Sequence, residues 1–231
     1  MSAARDLLLD ENLTLPFAVT ASSQSDGIGR QGRSWLSDEG AGLYVTFATD
    51  LQTPPGTQGL IALAVGIAIC DTLGELGIDA GLKWPNDVLV GDRKIAGILI
   101  QSVAERPGVY LIGIGLNLHP TPALEPAAIT VADLIDTPPE TIPLLRSLAT
   151  RLGEWLERYE AGDHAYIVDT WTGYAVWLGA EIEVIADQPI SGTMIGIDPA
   201  GLLILETEDG QVKLASGDVR RGPRPNQPSY T

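Results

Sequence analysis

Two short stretches concentrate the side chains able to do chemistry. The first, SQSDGIGRQGRSW at 23–35, sets Gly27, Gly29 and Gly32 in a G-x-G-x-x-G spacing and adds Arg30, Arg33 and Trp35. Between a strand and a helix, that spacing holds a dinucleotide pyrophosphate on the helix N-terminus. Here RSWLSDEGAG after the third glycine has no helical period, and a strand pattern follows. No Gly-Lys-Ser/Thr is present either, so a P-loop is excluded. Two readings stay open. Glycines can turn backbone N–H groups toward an anion while arginines grip a carboxylate or phosphate in bidentate fashion. Alternatively, the segment is a mobile surface turn with solvated arginines.

The second stretch is KWPNDVLV followed by DRKIAGILI, covering 83–100. It puts Lys83, Trp84, Asn86 and Asp87 at a strand end, with a hairpin behind them. Lys83 lies between Leu82 and Trp84, so it is partly desolvated and calls for an anionic partner or a lowered pKa. The plainer reading is a lysine that keeps its stem on apolar surface and its head in water. Arg93 and Lys94 stand beside the same motif. In a chain with only 14 basic residues, this focus points to a small anionic ligand. No Ser/His/Asp triad is visible. His119 and His164 lack metal-ligand spacing, Cys70 sits in an apolar helical stretch and reads as core, and Trp155, Trp171 and Trp177 read as packing.

The positioning elements follow from pattern. FAVTASS (17–23) and GLYVTFAT (42–49) read as strands, and Gln58 to Leu76 as a helix apolar nearly all round, stopped at Gly77. AGLKW is a strand broken at Pro85, VLV and IAGILIQSV form a hairpin about GDRK, and GVYLIGIGLNL (108–118) is a buried strand whose glycines permit close approach. After a Pro-rich loop at 119–140, Ile142, Leu145, Leu148, Leu152, Trp155, Leu156 and Tyr159 recur at helical spacing from Thr141 onward. Past Trp171 the texture becomes short strands separated by Asp, Gly and Pro turns, the pattern of a small all-β barrel. The expected organisation is a catalytic domain at 1–172, a β domain at 173–221 and a disordered tail at 222–231.

Composition bounds the function. The chain has 231 residues, 45% hydrophobic, and a formal net charge of −16, which excludes a general nucleic-acid binder. One cysteine excludes an internal disulfide and favours a reducing cytoplasm. No signal-peptide pattern is seen, and the longest apolar stretch, Leu60–Cys70, falls short of the ~20 residues that span a bilayer.

GRQGRSW, KWPNDVLV…RKIAGILI and GIGLNL, in that order and spacing, resemble the biotin–protein ligases, specifically the short biotin–[acetyl-CoA-carboxylase] ligases without a DNA-binding domain. The resemblance implies an α+β, class II aminoacyl-tRNA synthetase-like catalytic domain with a C-terminal SH3-like β-barrel. It implies a ligase that joins biotin to ATP as biotinyl-5′-AMP, then transfers biotin to one lysine of a biotin carboxyl carrier protein. Arg30 would hold the acyl-phosphate within the loop that includes Gly29, Arg33 and Trp35. Gln24 and Gly27 would line the biotin site, with Gly97 and Ile98 as its wall. Lys83 would neutralise charge near the biotin carboxylate and α-phosphate, Asn86 would bind substrate, and Gly115 and Asn117 would lie along the ATP site. Mg²⁺ is expected with the nucleotide, held by phosphates and water rather than by protein ligands. The resemblance allows a homodimer and, without a helix-turn-helix, no repressor role. A lipoate or octanoate ligase and a non-catalytic biotin-binding paralogue are the alternatives. Against the family pattern, no Ser-Thr-Asn strand precedes Arg5, and Ile28, Gln31 and Gln101 replace commoner charged residues.

Overall fold

The computed structural model describes residues 1–10, 13–122, 124, 127–185 and 188–222; the tail expected at its end lies outside these from residue 223 on. Six strands make one antiparallel sheet: β1 (Phe17–Ala21), β2 (Gly42–Asp50), β3 (Gly81–Lys83), β4 (Asp87–Val90), β5 (Arg93–Ser102) and β6 (Val109–Asn117), in the order β1-β2-β6-β5-β4-β3. One face carries Val45, Phe47, Ile98, Ile112 and Ile114, which share a core cluster with α2 (Gln58–Gly74). That helix buries twelve residues because it is apolar all round, and α3 (Thr141–Glu160) packs behind it. A further helix, α4 (His164–Tyr174), follows a break at Gly162, whose φ of +82° suits glycine. It passes through Thr172, and its Tyr174 hydroxyl donates to Asp71 at 2.8 Å.

The opposite sheet face is covered at one end by α1 (Ser2–Leu7), where Ala4 and Leu8 meet Ala48, Val109 and Leu111. At the other end it is covered by the segment containing Trp35. There the register sets Gly97 directly opposite Gly115, leaving a floor without Cβ atoms. A β-bulge between β4 and β5 pairs Val88 with Ala96 but Leu89 with Lys94, skipping Ile95. Strand neighbours normally alternate faces; the extra residue resets the alternation, so Lys94 and Gly97 share one face despite their odd spacing.

The C-terminal unit is a five-stranded antiparallel sheet ordered β10-β9-β8-β7-β11, from β7 (Glu181–Ile185), β8 (Ile190–Ile197), β9 (Leu203–Thr207), β10 (Gly210–Leu214) and β11 (Asp218–Arg221). Its Ile182, Val184, Met194, Leu203, Leu205 and Val219 join the same apolar cluster as α2 and the large sheet. Trp84 Nε1 donates to Gly201 O at 3.0 Å and fixes the β8–β9 turn against the KWPND corner. Among the described residues, no helix is long and apolar enough to cross a membrane.

Candidate active site

The glycine segment is folded into a small hairpin. Ile28 bridges Ser34, Gly29 N–H donates to Arg33 O at 2.7 Å, and Trp35 N–H donates to Gly27 O at 2.8 Å. Arg30–Gly32 form a 3₁₀ turn whose Gln31 has φ +57°. This fold delivers Trp35 onto the glycine floor. A Cβ on Gly115 would lie 2.4 Å from the Trp35 ring and one on Gly97 2.8 Å from it, so the indole reaches the sheet because both positions are glycine. Trp35 Nε1 is buried and has no hydrogen-bond partner among the described residues.

Two hollows meet at this tryptophan. The smaller, about 70 Å³, is lined by Gln24, Gly29, Arg30, Asn86, Gly97, Ile98 and Gly115 among others. The larger, about 630 Å³, takes in Gly29, Arg30, Arg33, Lys83, Asn86 and Asn117, together with Asp87, Trp177 and Asp218. Arg30, Lys83 and Arg33 therefore face one cleft, as their types required. Gly27 lines neither hollow. It lies behind Trp35, where a Cβ would fall 2.3 Å from the Trp35 carbonyl oxygen.

The cations are held by specific partners. Arg30 Nη1 donates to Asn86 Oδ1 at 3.1 Å, while Asn86 Nδ2 donates to Ile98 O at 2.7 Å. Asn86 thus ties the glycine hairpin to β5. Burial pushes the Arg30 pKa down, Asp87 and Asp218 oppose that, and Arg33 adds to it; the group stays a cation in its working range. Lys83, its side chain 15% exposed, lies 3.2 Å from Asp87 Oδ2 and 3.9 Å from Asp218 Oδ1, and 5.7 Å from the centre of the Trp177 ring. Asn117 is buried; its Nδ2 donates to the carbonyls of Lys94 (3.4 Å) and Ile129 (3.3 Å), so half of its amide serves to join β5 to the 127–130 segment. Gln24 Oε1 accepts from Ser37 Oγ at 2.8 Å.

Lys94 is the residue the sequence noted only as a neighbour of the motif. Its ammonium pairs with Asp87 Oδ1 and lies 5.2 Å from the centre of the Trp35 ring, and it lines both hollows where Lys83 lines only the larger. The signal that could have found it is the bulge, which is not legible in RKIAG. Asp218 and Trp177 were also missed as site residues because they come from beyond α4. Trp177 has a left-handed φ of +63° and donates from Nε1 to Asp92 Oδ1 at 3.1 Å.

A small hollow lined by Ile98, Leu99 and Ile114 above Gly97 and Gly115 opens past Lys94 and Arg30 into a larger cleft that also holds Arg33 and Lys83, a layout able to seat an acid beside a phosphate-bearing partner. Comparison with known proteins agrees. Residues 3–118 match the Biotin/lipoate A/B protein ligase family and residues 178–222 the Biotin protein ligase C terminal domain. The chain is 33% identical to a biotin–[acetyl-CoA-carboxylase] ligase of Paracoccus denitrificans over 87% of its own length and 88% of that protein's. It is 28% identical to the Bifunctional ligase/repressor BirA of Bacillus subtilis, covering 88% of this chain but 66% of the relative, just under two thirds of its length. The Aquifex aeolicus biotin protein ligase in complex with biotin and ATP superposes with a TM-score of 0.83 and 26% identity, over 94% of each chain. The chain belongs to the biotin/lipoate protein ligase family.

Proposed function

We propose that this chain activates biotin with ATP and passes it to a lysine of a carboxylase's biotin-carrying domain. The carrying observation is the junction: Arg30, Lys94 and Trp35 all line both the apolar slot and the charged cleft. Biotin's ring end takes the slot and its carboxylate lies at that junction. One carboxylate oxygen attacks the α-phosphorus of ATP, a P–O bond forms, and the bond to pyrophosphate breaks. A lysine amine of the acceptor then attacks the acyl carbon, forming the amide and expelling AMP. No acid–base triad is needed, because the adenylate is already an activated acyl group.

In this reading Lys94 and Arg30 stabilise charge at the reacting oxygens, and Lys83 and Arg33 hold phosphates further along the cleft. Preorganised cations of this kind contribute ~3–4 kcal/mol each to such a step. The family resemblance implies Lys83 at the carboxylate; the two-hollow geometry supports Lys94 there instead. Gly97, Gly115 and the Ile98 backbone form the slot wall, and the unpartnered Trp35 indole N–H is a donor for an acceptor brought by the ligand. At about 70 Å³ the slot does not hold the whole bicyclic acid as it stands. Met1 Sδ lies over Gly113 at one end and the exposed Ile28 at another, so binding requires side-chain movement there. Among the described residues no group of three or more His, Cys, Asp or Glu is placed to hold a metal ion. Mg²⁺ belongs to this reading as the nucleotide's counter-ion, and no step is derived through it.

Calorimetry with biotin, lipoate and ATP, separately and together, tests the reading. Biotin is expected to bind, lipoate much more weakly, and ATP to follow. Equal binding of the two acids would remove the assignment to biotin.

A further inference from the structure

The C-terminal sheet enters the charged cleft at one point, the start of β11. Asp218 places its carboxylate 3.0 Å from Arg33 Nη2 and 3.9 Å from Lys83 Nζ, and the carbonyl just before it, Gly217 O, accepts from Arg30 Nη1 at 3.5 Å. Gly217 permits this approach: a Cβ there would fall 2.3 Å from Val184 Cγ1. Arg33 is 61% exposed and Asp218 23% exposed, so the pair is tied at its inner end and solvated at its outer end. Two oxygens on one residue thus lie between an arginine and a lysine from different parts of the first unit, partners that phosphate oxygens could equally use.

We propose that Asp218 is a built-in counter-ion for the nucleotide's phosphates. It holds Arg33 and Lys83 in place before the nucleotide arrives, and ATP displaces it. Binding then separates the β11 carboxylate from the glycine hairpin, so the C-terminal sheet sets nucleotide affinity by competing for the same cations. An opposite charge removed from a cluster leaves the cations freer for an incoming anion, and the effect weakens with ionic strength. This rests on the reading of the larger cleft as the nucleotide site.

The test compares the full chain with Asp218→Asn and Asp218→Glu, titrated with ATP and, separately, with inorganic tripolyphosphate at low and high salt. Asp218→Asn is expected to bind both roughly three- to tenfold tighter at low salt, with the gain shrinking at high salt and biotin affinity unchanged. Asp218→Glu keeps the charge and is expected to stay near the parent. Equal or weaker binding of both probes by Asp218→Asn overturns the competition while leaving the cleft's assignment intact. Failure of all three proteins to bind either probe overturns the assignment and the competition together.

Discussion

The two hollows that meet at Trp35 and Lys94 are built by opposite means. The smaller one adjoins a floor made by subtraction. Gly97 and Gly115 face each other across β5 and β6, and the space their missing side chains leave is filled by an indole. The larger one is made by addition: Arg30, Arg33, Lys83 and Lys94 come from three separate segments and are kept apart by Asp87 and Asp218. The first is thus floored by backbone, with Arg30 and Lys94 at its mouth, and the second is bounded largely by charged side chains. Backbone register fixes the glycine floor, whereas the ends of the smaller hollow (Met1 and Ile28) and the ion-paired cations of the larger one are side chains.

The sharpest way to break this comparison is to remove the cation that belongs to both hollows. Lys94→Ala is expected to lower ATP–pyrophosphate exchange about 10²–10³-fold. Lys83→Ala should mainly raise KM for ATP and leave biotin affinity alone. If the two variants behave alike in biotin titrations, the division of labour between the lysines is wrong.

Gly115→Ala tests subtraction directly. Its Cβ would land among the Trp35 ring atoms, 2.4–2.6 Å away, and overpacking of that kind costs ~1–3 kcal/mol. The expectation is a biotin affinity roughly 10–100-fold weaker with ATP affinity little changed. Matched losses for both ligands would show that the hollows are one site with no internal border.

Asn86→Ala removes the tie between Arg30 and the Ile98 carbonyl. A lost bond to a charged group is worth ~1.5–3 kcal/mol, so release of the adenylate should quicken by about tenfold or more. Labelling of bystander lysines reports the leak, and unaltered retention would mean that Arg30 is placed by the hairpin alone.

The smallest effect lies in the C-terminal sheet. Burial works to raise the Asp198 carboxyl, but the N–H groups of Leu202 and Ala200 and the Lys213 ammonium together hold it below its usual range. A carboxyl depressed in the folded state adds stability above its unfolded pKa and loses it as pH falls through the folded pKa. Asp198→Asn should therefore lower the melting temperature at neutral pH, and the gap should close as the solution is acidified. Melting curves that stay a constant distance apart down to low pH would assign the loss to packing instead.

Much of this molecule could be read from short-range pattern. The all-round apolar stretch at 58–76 had to be a buried helix, and the alternating runs at 42–49 and 108–118 became β2 and β6 because local period and burial agree there. The glycine segment was legible as something other than a dinucleotide loop because no helix follows it. Helix α4 was not read, since a glycine break after α3 leaves eleven residues with little periodicity. The site divides in the same way. Arg30 stands in a motif whose composition marks it and Gly97 was reached through the family resemblance, while Gly27, expected to line the biotin site, lies behind Trp35 and outside both hollows.

What the sequence determined by itself is the inventory: where most of the strands and the two long helices fall, where glycines concentrate, and a focus of cations in an otherwise acidic chain. Only the tertiary structure decided the partners. A single inserted residue at Ile95 turned Lys94 onto the face that carries Gly97, and a sheet formed more than a hundred residues later placed Asp218 against Arg33. Local propensity follows from each residue and its near neighbours, but which charge meets which is set by register and packing between segments distant in the chain, and no local pattern encodes that.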